Sequence, residues 1–128
     1  MSEQDSELAS FMRGEFDPKA FQHRDHVRVG FEMLRRHSFV EVALHYSQAL
    51  QVMSEKAGKP HAFHQTVTLA FLSLISERME TGELTDFETF ERTNTDLIDK
   101  SVLSRWYRSE RLELDVARRT FVLPEPAR

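Results

Sequence analysis

A chain of 128 residues, 40% apolar and 30% charged, is sized and balanced for one domain with one core. It has no cysteine, which excludes a disulfide framework, a thiolate nucleophile and a cysteine-based zinc site. A net charge of −4 weighs against non-specific nucleic-acid binding, and no apolar run approaches the roughly 18 residues of a membrane span.

The start, Met1-Ser2-Glu3-Gln4-Asp5, is polar and acidic, unlike a signal peptide, so the expected location is cytoplasmic. Only four glycines and four prolines punctuate the chain, and no Asn-Gly or Asp-Gly hairpin turn lies between alternating runs. The fold expected is all-α: a compact single-domain bundle of about five or six helices, with residues 1–15 and 124–128 peripheral.

In chain order, a short helix over Ser6–Arg13 is expected to stop at Gly14. Asp17-Pro18 reads as a cap followed by a first-turn proline, and a helix is expected from Pro18 or Phe21 to His37. Its apolar side carries Val27, Gly30, Phe31 and Leu34. Ser38 with Glu41 is a capping box for a helix from Phe39 to Ala57, stopped by Gly58. That helix is the most regularly amphipathic, with Phe39, Val42, Ala43, Tyr46, Ala49, Leu50 and Met53 inward.

A helix from Ala62 to Glu80, closed by Gly82, is apolar over most of its circumference and therefore central. Thr85 with Glu88 predicts a capping box for a short helix over Asp86–Arg92. Helical periodicity resumes over Asp96–Arg119 in two pieces, and Phe121-Val122-Leu123-Pro124 is an extended tail packing back on the bundle.

Two constellations place polar chemistry on apolar stripes. His23 and His26 are three apart, on one helix side, with His23 in the Val27–Gly30–Leu34 stripe and His26 at its edge. In Phe63-His64-Gln65-Thr66-Val67-Thr68, His64 and Thr68 lie one above the other and top a column continued by Phe71 and Ile75. A helix N-terminus there is receptive to anions.

Together, His23, His26 and His64 are a candidate three-histidine site for a divalent transition metal, the ligand number of catalytic zinc. Without a metal, His26 or His64 is a candidate general base, with Thr68 orienting substrate or water and Arg118 holding an anionic group. Thr66, Trp106 and Tyr107 complete the candidate ligand contacts. The structural alternative is that His64 caps its helix while Thr68 bonds back to the His64 carbonyl. His37, His45 and His61 fall near helix ends or on polar faces and read as surface residues.

Arg105, Arg108 and Arg111 form a basic ridge beside Trp106 and Tyr107, but Glu110, Glu113 and Asp115 lie close by. A solvated face laced with ion pairs explains it better than nucleic-acid binding. The two aromatics are expected to seal the bundle with their polar tips hydrogen-bonded. Glycine-rich phosphate loops, HExxH and nucleophile elbows are absent from the sequence. Two functions remain open. One is a small-molecule pocket lined by His23, His26, His64 and Thr68. The other is a non-catalytic interaction module, a homodimer through faces rich in the chain's ten phenylalanines.

Phe21-Gln22-His23-Arg24-Asp25-His26, Phe63-His64-Gln65-Thr66-Val67-Thr68, Trp106-Tyr107 with Glu110, and Ala117-Arg118 with Phe121-Val122-Leu123-Pro124 resemble an uncharacterised family of small bacterial all-helical proteins. The resemblance runs over residues 16–124; it implies positions to suspect and no reaction. More distantly, at the level of fold, the chain resembles DinB-like helical bundles. That likeness implies a metal held by histidines from different helices, although the histidine spacing departs from theirs.

Overall fold

Among the described residues of the computed structural model, 3–83 and 86–126, the chain is all-α and has no strand. The α-helices are α1 Glu3–Met12, α2 His23–Arg36, α3 Phe39–Lys56, α4 Gln65–Thr81, α5 Phe87–Thr93, α6 Ser109–Leu112 and α7 Asp115–Arg119. Three 3₁₀ segments, Pro60–Ala62, Thr95–Ile98 and Lys100–Arg105, join them. α4 packs on both α2 and α3, in the central position its apolar circumference predicts.

Within the segment expected to be peripheral, Phe11 is fully buried and Leu8 nearly so, both in a cluster with Val29, Met33 and Tyr46. A fully buried Phe contributes roughly 1.5–3 kcal/mol, which ties α1 to the core. Gly14 then turns the chain with φ +69, and a Cβ there would meet Val52 Cγ1 at 2.5 Å. Both the backbone hand and the close approach require glycine. The Lys56 ammonium donates to the Gly14 carbonyl at 2.7 Å and pins this turn to α3.

Asp17-Pro18 does not open α2. The Asp17 carboxylate accepts from Lys19 N at 3.0 Å in a single local turn. Phe21 is then drawn into an aromatic cluster with Phe11 and Phe16, at 5.4 and 5.5 Å between centroids. That packing extends the chain through Gln22, and the helix begins only at His23, where Asp25 accepts from Gln22 N at 2.9 Å. α2 is buried on two sides: Val27 and Phe31 face one cluster, Val29 and Met33 the other. Its nearly buried Glu32 is met by Arg36 at 2.9 Å.

The Ser38–Glu41 capping box is present, and α3 ends where Gly58 predicts, at φ +70. Phe39, placed in the core by periodicity, is 38% exposed, beside the more exposed Val40 and Leu44. α4 starts three residues later than expected, because Pro60–Ala62 forms its own 3₁₀ turn and His64 takes the cap position. The expected capping box at Thr85 lies outside the described residues; Asp86 caps α5, accepting from Thr89 N at 2.9 Å.

From Thr95 to Arg119 the chain is broken into four short pieces rather than two helices. A continuous helix would use the carbonyls of Leu97 and Leu112 internally. Here His23 and His64 take them. Asp99 adds a side-chain cap on Ser101 N, which restarts the chain as 3₁₀. Arg78 clamps this region by a two-pronged contact with Asp96, at 3.0 and 2.8 Å.

Candidate functional site

A cavity of about 380 Å³ lies between the starts of α2 and α4 and the middle of α3. Its size is at the small end of ligand pockets, about 300–1,000 Å³. Phe21, Val27, Leu50, Phe63, Phe71 and Ile75 supply much of its wall, and its polar groups include His23, His26, Tyr46, His64, Thr68 and Lys100. The two histidine motifs of the sequence are therefore brought to one concave surface.

His26 is the most perturbed histidine on this wall. Burial, helped by the neighbouring His23, lowers its pKa from 6.5 to about 4. Near pH 7 only about one molecule in a thousand carries the charge. Tyr46, whose own ionisation is pushed up by burial, stays a phenol and donates to the His26 carbonyl at 2.8 Å. With that hydrogen spent, the 3.4 Å contact between Tyr46 Oη and His26 Nδ1 is favourable only if Nδ1 carries the ring proton. We therefore assign the tautomer with a bare lone pair on Nε2. Among the described residues the one walled-in side-chain N or O atom without a partner is Ser47 Oγ. The His26 Nε2 lone pair is thus accessible from the cavity side rather than sealed in protein.

His23 stands edge-on to Phe71, at 4.8 Å between centroids. Its Nε2 donates to the Leu97 carbonyl at 2.9 Å, which leaves Nδ1 as an acceptor. Burial lowers its pKa as well, offset in part by that hydrogen bond. His64 differs: Nε2 donates to Leu112 O at 2.7 Å while Nδ1 accepts from Val67 N at 3.1 Å. Thr68 donates to the His64 carbonyl at 2.7 Å. Both His64 nitrogens are engaged, so it has no lone pair for a metal and no free site for proton transfer. The geometry matches the capping alternative.

The three-histidine metal set is corrected on the same ground. The His23 and His26 rings lie 6.4 Å apart between centroids, stacked at an interplanar angle of 28°. Among the described residues no three His, Asp or Glu side chains are grouped to hold a metal ion.

None of the other expected ligand contacts lines this cavity. Thr66 is fully buried and clamps the tail, donating to Thr120 O at 3.0 Å and accepting from Val122 N at 3.1 Å. Tyr107 is buried and donates to Val122 O at 2.8 Å, as a bundle-sealing aromatic should. Trp106 does not seal the bundle: it is 46% exposed, while the following Tyr107 is buried. Arg118 donates to His61 O at 2.8 Å and lines a separate cavity beside Arg119. The Arg105 and Arg108 ridge is paired with Asp96 and Glu125, and His37, His45 and His61 are exposed.

Sequence reasoning missed Lys100, Tyr46 as the partner of His26, and the aromatic wall of Phe21 and Phe63. Lys100 has no signature: it follows Asp99 in an irregular segment and reaches the cavity only through the packing of that segment on α2 and α4.

No protein-family model matches this chain, nor does any curated protein or solved structure. The chemistry of the cavity carries the functional assignment alone. Among the described residues, no helix is long and apolar enough to cross a membrane.

Proposed function

We propose that the protein binds a small organic molecule with an apolar or aromatic body in the α2–α3–α4 cavity, and that His26 receives a hydrogen bond from it. The observation that supports this is a neutral imidazole with a free Nε2 on a concave wall that is mostly apolar by area. A pocket of that kind, with few polar groups and a perturbed titratable residue, is where ligands bind.

Binding is favoured over proton-transfer catalysis by the same value. A base of pKa about 4 is poorly matched to abstracting protons near neutral pH. Burial outweighs the upward pull of the Asp25 carboxylate, which does not line the cavity. His23 and His26 are the ligand-facing residues in this reading, and His64 and Thr68 shape the wall.

Phenol and anisole test the idea as a matched pair, one with a donor and one without, titrated into labelled protein and followed by amide NMR. Phenol is expected to shift Val27, Val67 and Phe71 and to bind about fivefold tighter than anisole, the value of one hydrogen bond. In His26→Ala the two should bind alike. If neither moves those amides, or if His26→Ala keeps the preference, the proposal fails.

A further inference from the structure

Lysines are unevenly placed on this chain. It has four, on a background of net charge −4. Lys100 is the only formally charged side chain on the cavity wall. A second cavity of about 340 Å³ adjoins the first, sharing Phe21, His26, Leu50, Ser54 and Ala62 with it. Lys19 and Lys59 are its charged residues, and no acidic side chain lines either space.

All three lysines are exposed, and among the described residues none has an ion pair or a side-chain hydrogen bond. The arginines behave differently: Arg24, Arg28, Arg78 and Arg105 are paired with carboxylates. Three acids close to them in sequence are held by backbone donors: Asp17 accepts from Lys19 N, Asp25 from Gln22 N and Asp99 from Ser101 N. The adjoining cavities are thus edged by exposed ammonium groups around mostly apolar walls.

We infer that the ligand is a small organic carboxylate whose apolar body fills the cavity and whose anionic end is held at the lysine rim, chiefly by Lys100. This rests on the ligand-binding reading and adds the charge class to it. A carboxylate fits better than a phosphate ester. Lysine is a compact point charge without the forked donor set of arginine, and only one lies on the main cavity wall. The remaining ring nitrogens accept hydrogen bonds rather than donate them, so they do not help to cradle a phosphate.

The test uses 4-hydroxyphenylacetate and its neutral methyl ester, which share ring and donor and differ in charge. In the wild-type protein the acid should bind about tenfold tighter than the ester at low ionic strength, and the preference should shrink as salt is added. In Lys100→Met combined with Lys19→Met and Lys59→Met, acid and ester should bind within about twofold, less than one exposed ion pair is worth. These side chains are exposed and bonded to nothing, so the variant should fold, which a thermal melt checks. If the ester shifts the cavity amides as strongly as the acid, or the triple variant keeps the preference, the carboxylate assignment falls while the cavity reading stands. If neither compound nor phenol reaches the cavity amides, both fall together.

Discussion

Acid should weaken this protein well above the range in which carboxylates protonate. His26 has a folded pKa of about 4 against 6.5 for the free side chain. The unfolded chain therefore binds more protons between these values. Stability is fully present above about pH 6.5, falls as the pH drops below that, and levels out near pH 4. Integrating between about pH 7 and about pH 5 gives a loss of about 2 kcal/mol from His26 alone. His23, also lowered by burial, adds to the loss. Asp86, Asp96 and Asp99 are held below 3.8 by capping bonds and by Arg78, so their stabilising share is lost only at lower pH. Against a total of about 5–15 kcal/mol for a small domain, the effect is readable. Urea unfolding by far-UV circular dichroism at several pH values is the assay, since half-exposed Trp106 is a poor reporter of the core. The urea midpoint should fall with acid while the slope of the transition holds steady. In His26→Gln the pH dependence between 7 and 5 should shrink to the share of His23. A wild-type midpoint that is flat over this interval, or a His26→Gln protein with the wild-type dependence, would refute the account of a desolvated neutral His26.

Two further outcomes separate the structural polar residues from the cavity groups. His64→Ala removes a helix cap and the bond to Leu112 O, and should cost about 2 kcal/mol in urea unfolding; His64→Asn, which restores the cap alone, should recover about half. If His64→Ala instead unfolds like the wild type, the capping role is wrong. Thr66→Val strands Thr120 O and Val122 N and should destabilise by about 2 kcal/mol, with faster hydrogen exchange at the Val122 amide. Unchanged exchange there would mean that the tail is held by other contacts.

The long helices were legible because their signals are local. Ser38 and Glu41 cap α3 from three residues apart, and Gly58 ends it by its own backbone preference. The histidine and threonine stripes also pointed to one shared cavity wall, since helical spacing alone puts His23 beside His26 and His64 above Thr68. What failed was non-local. Phe21 leaves the helical path because Phe11, ten residues earlier, offers it a ring to pack on. Lys100 reaches the cavity because a broken segment folds across α2 and α4, and nothing in its neighbours in sequence encodes that.

The sharpest limit is that His26 and His64 look equivalent in the sequence. Each is an imidazole near the start of a helix, on an apolar stripe, in a motif with a second polar residue. A neutral imidazole has one donor and one acceptor, and burial obliges it to satisfy both or to leave one open. His64 satisfies both, locally with Val67 N and at long range with Leu112 O, 48 residues away. His26 satisfies only one, through Tyr46, and its acceptor has no protein partner. Whether a buried histidine holds the fold or meets a ligand is thus decided by the bond its second nitrogen finds. For His64 that partner is a carbonyl released by a break in the C-terminal helical region. The break and the cap select each other: a continuous helix through Leu112 would consume that carbonyl and leave His64 Nε2 unsatisfied as well as His26 Nε2.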